Sequence, residues 1–181
     1  CWTIKFGPLI AKNLRKRRPP ASPRWHLDEM VCNVGGRRMY LWRAVDDEGE
    51  VLDMIMQPRR DAEAALKLLK RLLWRQRVTP EWIVTDGLGS YAAALKELDL
   101  LDRHRPGRLR ENNRAENSHL PFRRRERAML RFRRMHTLQK FASVHASVHN
   151  HFPTERHLQD RNTYKTARAA ALAEWRGLLA A

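Results

Sequence analysis

Residues 25–33 read WHLDEMVCN, and this stretch has the apolar content and alternation of a β-strand. Alternate residues of a strand point to opposite faces, so Asp28 and Glu29 would lie on opposite sides. A carboxylate on the buried side of a strand is costly unless a cation or hydrogen-bond donors compensate its charge. Asp28 is therefore either a ligand of a bound cation or a solvated residue on an edge strand, and the alternation alone does not decide between them.

The segments that follow this strand predict an α/β fold with a mixed sheet. Gly35 and Gly36 predict a turn and the acidic residues 46–50 a hairpin, so three strands would form an antiparallel meander. Asp61 has the character of a helix N-cap, and leucines recur at helical spacing from there to about Arg77. The predicted elements are strands at 25–33, 39–45, 51–56 and 82–85, and helices at 61–77, 91–98, 136–149 and 167–179. This order is typical of a sheet flanked by helices.

Asp86 follows the short apolar strand at 82–85 and precedes Gly87. Open α/β sheets bind ligands beyond the carboxyl ends of their strands, which makes Asp86 a candidate ligand. An aspartate that forms a turn before a glycine is the simpler alternative. Both interpretations stay open on the sequence alone.

Glu116 lies in residues 112–119, which read NNRAENSH. Asn113 and Glu116 fit a capping box, with Asn113 as N-cap, and a capping glutamate needs no metal. Glu126 competes with Glu116 as a third acid, although the arginines on both sides of Glu126 explain it by ion pairing. Pro121 is expected to kink a helix through this region or to mark a second helix start.

The chain carries a large excess of positive charge. It has 36 Lys and Arg residues against 20 Asp and Glu residues, which gives a net charge of +16 over 181 residues. Such a charge favours nucleic acid or an anionic surface as partner. We expect one group of phosphate contacts in a proline-punctuated, linker-like N-terminal segment and another in the basic block at 103–134. The residues are Arg15, Lys16, Arg17, Arg18, Arg110, Arg114, Arg123, Arg124, Arg125 and Arg127.

Other features of the sequence narrow the class of protein. It contains no run of 18 or more apolar residues, which argues against a membrane span. Its two cysteines, Cys1 and Cys32, have no metal-ligand spacing, so a disulfide framework or zinc site is not expected and a reducing cytoplasm fits best. Because the first residue is Cys and not Met, we expect the chain to begin inside a longer reading frame or to be a truncated copy.

Three separated carboxylates in a basic chain predict a metal-dependent enzyme that acts on a polyanion. Asp28, Asp86 and Glu116 could together hold two divalent ions about 3.5–4 Å apart. Carboxylate oxygens suit Mg²⁺ or Mn²⁺ and not zinc. The predicted reaction is in-line displacement at a phosphodiester.

Four motifs, in order along the chain, carry a family resemblance. They are WHLDE at 25–29, YLWRAVD at 40–46, TDG at 85–87 with SY at 90–91, and NNRAE at 112–116. Together they resemble the DDE transposases of bacterial insertion-sequence family six. The resemblance implies a ribonuclease-H-like, retroviral-integrase-like core. It also implies that Asp28 bridges two Mg²⁺ or Mn²⁺ ions, while Asp86 and Glu116 each bind one.

The resemblance also implies a domain division and a function. Residues 1–24 would be a basic linker with the remnant of a helix-turn-helix, residues 25–160 the catalytic core, and residues 161–181 a C-terminal helix. The expected function is cleavage of double-stranded DNA at the terminal inverted repeats of a transposon and 3′-OH strand transfer into target DNA. A homodimer or larger oligomer on DNA is expected. The alternatives are a catalytically inactive DNA-binding relic and a nuclease of the same fold without strand transfer.

Overall fold

The computed structural model describes residues 2–107, 112–128, 132–152 and 160–180. No helix within these ranges is long and apolar enough to cross a lipid bilayer. The strands are β1 (Arg24–Val34), β2 (Arg37–Asp46), β3 (Val51–Gln57), β4 (Trp82–Thr85) and β5 (His104–Pro106). The helices are α1 (Trp2–Lys16), α2 (Ala62–Gln76), α3 (Gly89–Glu97), α4 (Asn113–Ala128), α5 (Met135–His151) and α6 (Arg161–Ala180), with a 3₁₀ turn at Leu101–Arg103.

The strands form one mixed sheet in the order β3-β2-β1-β4-β5. β1, β2 and β3 pair antiparallel, which confirms the predicted meander. β4 and β5 extend the sheet from β1 in parallel pairings. The predicted α/β fold, a mixed sheet with a three-stranded meander and shorter parallel strands flanked by helices, is confirmed. β5 was not predicted, because a three-residue strand within a basic block has no apolar pattern.

One face of the sheet is covered by α2 and α3. The core there combines Trp25 and Trp42 from the sheet with Leu68 and Leu72 of α2, and all four are fully buried. Helix α2 begins where the sequence predicts, because the side chain of Asp61 accepts a hydrogen bond of 3.0 Å from the backbone N–H of Ala64. At its other end Arg77 adopts the left-handed conformation, with φ 57°, and ends the helix.

Helix α4 covers the opposite face of the sheet. Its residues Ala115 and Phe122 are fully buried, and its His119 contacts Asp28 of β1. Pro121 lies inside this helix, which continues to Ala128. The expected second helix start at Pro121 is therefore not observed.

The chain divides into two compact units, one of Pro20–Gln139 and one of Cys1–Pro19 with Lys140–Ala181. In the second unit, α1 packs closely against α5, since a Cβ added at Gly7 would lie 2.9 Å from the side chain of Val144. The last turn of α1 contains Arg15 and Lys16. The expectation that these two residues belong to a linker is wrong, because they continue an amphipathic helix. The predicted division at residues 24 and 160 stays a prediction.

Asp53 of β3 joins the sheet to α2 and generates a test of the fold. Its side chain is 4% exposed and accepts hydrogen bonds from Arg71 at 3.2 Å and Arg75 at 2.9 Å. We expect Asp53→Asn to lower the free energy of unfolding by about 2 kcal/mol, because two charge-assisted bonds to a buried carboxylate are weakened. Chemical denaturation measures this loss.

The exposed pair of Lys70 and Glu97 provides the matched control. Their side chains are 56% and 58% exposed and lie 3.1 Å apart. Glu97→Gln is expected to cost less than about 1 kcal/mol, because solvent screens an exposed ion pair. Equal losses in the two variants would contradict the structural role assigned to Asp53.

Candidate metal centre

The pairing of β1 with β4 determines where Asp28 and Asp86 lie. The two strands run parallel, and their register ends with His26 opposite Val84. β4 ends one residue later, at Thr85, whereas β1 continues. Asp86 therefore leaves the sheet beside β1, at the carboxyl end of β4, which is where open α/β sheets bind ligands.

Glu29 adds a third carboxylate to this pair. One oxygen from each of Asp28, Glu29 and Asp86 lies within 4.8 Å of the other two. Within the described ranges, these residues form the cluster that has the spacing of metal ligands. The donors are all carboxylate oxygens, so the cluster fits a hard divalent cation such as Mg²⁺ or Mn²⁺. We refer to these three residues as the carboxylate cluster.

Glu29 is held by two donors on the face of the sheet that α2 and α3 cover. The hydroxyl of Tyr91 donates to Oε2 at 2.8 Å, and Nε of Arg60 donates to Oε1 at 2.5 Å. The Glu29 side chain is 2% exposed. This burial raises the pKa of the Glu29 carboxyl, while the hydrogen bonds from Tyr91 and Arg60 act in the opposite direction. Sequence reasoning missed Glu29, although a charged residue on the strand face shared with Trp25 and Leu27 was the available signal.

Asp28 points to the opposite face, where α4 supplies His119. Nε2 of His119 lies 3.1 Å from Oδ2 of Asp28. Burial lowers the pKa of His119, the Asp28 carboxylate acts to raise it, and the charge of Arg43 lowers it further. The imidazole packs against the Asp28 carboxylate, although among the described residues its Nε2 makes no hydrogen bond of regular geometry. Sequence reasoning assigned His119 no role.

Arg43 of β2 lies beside Asp28 of β1. The two residues are partners in the antiparallel register of β1 and β2. The Arg43 side chain is fully buried, and burial lowers its pKa to about 9. Among the described residues, its three side-chain nitrogens have no hydrogen-bond partner. A buried guanidinium without hydrogen-bond partners is costly, and burial is the cause of its lowered pKa.

Glu116, the predicted third ligand, lies in the first turn of α4 and is exposed. It is not a member of the carboxylate cluster as this structure stands. The backbone N–H of Glu116 bonds to the carbonyl of Asn112, which makes Asn112 the residue before the helix. The expected capping box with Asn113 as N-cap is therefore wrong, because the N-cap lies one position earlier, at Asn112. The side chain of Asn112 instead donates to the carbonyl of Leu27 at 2.9 Å, which fastens the start of α4 to β1 next to Asp28.

Glu126, the competing third acid, lies further along the same side of β1. Burial raises the pKa of Cys32 to about 12, and the charge of Glu126 is the second cause of this increase. Glu126 is therefore close to Cys32. Cys32 is four positions beyond Asp28, which corresponds to roughly 13 Å along a strand. Glu126 is also outside the carboxylate cluster.

The predicted phosphate-binding residues lie in both units of the chain. Arg114, Arg124, Arg125 and Arg127 are exposed on α4, and Arg123 is half-buried. Arg110 lies outside the described residues. In the other unit, Arg15 donates to Ser147 at 3.0 Å, and Arg17 pairs with Glu174 at 3.1 Å. Contact of any of these residues with DNA stays a prediction.

The chain is similar to transposases in sequence. Residues 22–155 match the DDE domain family of IS240-type transposases. Over 97 residues the chain is 30% identical to the transposase for insertion sequence-like element IS431mec of Staphylococcus aureus. This aligned segment covers 54% of the present chain and 43% of that transposase. The transposase for insertion sequence element IS257 in transposon Tn4003, also from Staphylococcus aureus, matches to the same extent. The part of the chain that matches therefore spans less than half the length of these relatives.

The fold also resembles that of a solved structure. A chain in the cryoEM structure of the simian T-cell lymphotropic virus intasome in complex with PP2A regulatory subunit B56 gamma matches 80% of this chain and 54% of its own length. The TM-score is 0.56 at 18% sequence identity, so the likeness concerns the fold alone.

The raised pKa of Glu29 predicts a pH dependence of stability in the presence of EDTA. Above about pH 4.5 the folded chain holds the Glu29 proton more tightly than the unfolded chain does. The contribution of Glu29 to stability is therefore full below that pH and falls as the pH rises through the folded-state pKa. We expect the unfolding free energy of Glu29→Gln, relative to the parent, to increase over that pH window. Parallel pH curves for the two proteins, measured by urea denaturation, would contradict the assignment.

Proposed function

The chain belongs to the DDE transposases of insertion-sequence family six, and on this basis we propose that it cuts DNA at transposon ends and joins the freed 3′-OH to target DNA. The observation that carries the proposal is the convergence of Asp28 and Asp86 at the carboxyl end of β4, with oxygen donors within 4.8 Å of one another. Two acids at this position suit divalent-metal chemistry at a phosphodiester. The substrate would be double-stranded DNA, as terminal inverted repeats and as target.

Asp28, Asp86 and Glu116 would hold two Mg²⁺ or Mn²⁺ ions in this reaction. By analogy with the family, Asp28 would contact both ions and each of the other acids one. When bound, such ions activate the attacking oxygen and stabilise the leaving oxygen. His119, whose Nε2 lies 3.1 Å from Oδ2 of Asp28, would help to position that carboxylate for metal.

Glu116 is a better third ligand than Glu126. The bond from Asn112 to the carbonyl of Leu27 holds the first turn of α4 beside Asp28. Glu116 lies in that first turn with its side chain exposed, and we propose that it completes the ligand set from there. Glu126, beside Cys32, would need a movement of several ångströms along β1.

DNA would be bound by the arginine-rich surface of α4 and by the basic residues at the end of α1. The net charge of +16 supports steep weakening of binding with added salt. By analogy with the family, the active form would be a homodimer or larger oligomer on paired DNA ends. The site of action would be the bacterial cytoplasm, on nucleoid DNA.

Asp86→Asn tests the proposed metal chemistry. We expect strand transfer into target DNA, with Mg²⁺ or Mn²⁺, to fall by at least about a hundredfold, because several kcal/mol of charge stabilisation depend on the ligand. Salt-sensitive binding of the same DNA should be nearly unchanged. Asp102→Asn, at an exposed position in the 3₁₀ turn, is the matched control and should retain activity.

The products of that assay separate the alternatives. Joined DNA from the parent chain supports a transposase, whereas cleaved DNA without joined product would support a nuclease. A parent chain that binds DNA and forms neither product would support an inactive relic. Equal strand transfer by Asp86→Asn and the parent would reject the proposed role of Asp86.

A pair of isosteric variants tests the choice of the third acid. Glu116→Gln is expected to reduce strand transfer by at least about a hundredfold, because one metal ligand is lost. Glu126→Gln, on the same helix, should remain within about threefold of the parent, since the half-buried Glu126 lies beside Cys32 and outside the carboxylate cluster. The reverse ranking would show that Glu126 is the ligand.

A further inference from the structure

Arg60 is a cation that contacts the carboxylate cluster. It lies in the connection between β3 and α2, immediately before the N-cap Asp61. Its Nε donates to Glu29, and its Nη2 lies 3.4 Å from Oδ2 of Asp86. One guanidinium therefore spans two of the three clustered acids.

The two ends of this contact differ in strength and in burial. At the Glu29 end both carboxylate oxygens are occupied, one by Arg60 and one by the hydroxyl of the fully buried Tyr91. Tyr91 is itself fixed by an edge-to-face contact with Trp42, with ring centroids 5.4 Å apart. At the Asp86 end the bond is longer, and the Asp86 side chain is 31% exposed. Glu29 is thus an anchor for Arg60, and the contact with Asp86 is the one that can be released.

On the premise of the proposed function, we propose that Arg60 is a resident counter-ion of the metal centre that passes from Asp86 to a DNA phosphate when metal binds. Without metal, the guanidinium neutralises part of the charge of Asp86 and Glu29. With a divalent cation held by Asp28 and Asp86, the guanidinium of Arg60 would leave the Asp86 oxygen, because like charges repel. Arg60 then keeps its bond to Glu29, and its Nη groups can donate hydrogen bonds to a DNA phosphate beside the carboxylate cluster.

This assignment makes Arg60 a positioning residue that links metal binding to DNA binding. The guanidinium suits this role because its donors form a planar fork that fits a carboxylate and a phosphate equally well. Glu29 acts through Arg60 and does not need to bind metal. The Arg60 side chain is 43% exposed, so its Nη groups can reach a ligand in solvent while Nε stays bonded to Glu29.

Arg60→Gln tests the competition with metal directly. We expect its Mn²⁺ affinity, measured as free Mn²⁺ by electron paramagnetic resonance, to be about three- to tenfold tighter than that of the parent, because a nearby positive charge is removed. Arg59→Gln removes the same charge from the adjacent exposed residue and should remain within about twofold of the parent. Affinity in Arg60→Gln equal to or weaker than the parent, or an equal gain in Arg59→Gln, would overturn the proposal.

The transfer to phosphate is tested on DNA binding with Ca²⁺, which need not support catalysis. We expect Ca²⁺ to strengthen binding of a transposon-end duplex by the parent, and Arg60→Gln to lose at least about half of that gain. An undiminished gain would overturn the transfer step. This binding experiment does not use strand transfer as its readout, so its result is independent of the Asp86→Asn assay.

A measurement on the parent chain decides the matter even if Arg60→Gln fails to fold. The ¹⁵N–¹H signal of the Arg60 side chain should shift during titration with Mg²⁺, as the Asp86 contact is lost. A signal that does not move while metal saturates the site would overturn the role of Arg60 and leave the proposed function intact. No binding of metal to any of these proteins would overturn the metal centre, and the proposal with it.

Discussion

Repulsion among the carboxylates of Asp28, Glu29 and Asp86 is the constraint that the surrounding structure has to satisfy. Their oxygens lie within 4.8 Å of one another, and like charges at this distance destabilise a folded chain unless cations or donors compensate them. The sheet imposes this closeness, because the parallel register of β1 and β4 ends just before the acids. The same register also creates a candidate metal site, because a divalent cation bound to these acids would relieve their repulsion.

The compensation comes separately from the two faces of the sheet. Successive residues of β1 point in opposite directions, so one strand presents a carboxylate to each layer of helices. Glu29 meets Arg60 and Tyr91 on one side. Asp28 meets His119 on the other side and is the register partner of the buried Arg43. Two adjacent residues of a strand thereby acquire different roles: Glu29 holds a cation of the protein, and Asp28 remains available to a metal.

Much of the fold was predictable because its signals are local, as with the hydrogen-bonded N-cap at Asp61 and the meander of β1, β2 and β3. The site was only partly predictable. Alternation assigns Glu29 to a face but does not reveal that Arg60, 31 positions away, reaches it. His119 gains its role only through packing of α4 on the sheet. The start of α6 was missed for a different reason: Asp160, which accepts hydrogen bonds from the backbone of the first turn, precedes the apolar pattern.

The central claim is that Asp28 and Asp86 hold a divalent cation at the carboxyl end of β4. Anomalous diffraction from Mn²⁺-soaked crystals of the chain bound to a transposon-end duplex tests this most directly. The account predicts an anomalous peak bonded to carboxylate oxygens of both aspartates, at about 2.0–2.3 Å. Clear density for bound DNA with no peak between Asp28 and Asp86, or a Mn²⁺ peak held by other residues alone, would contradict it.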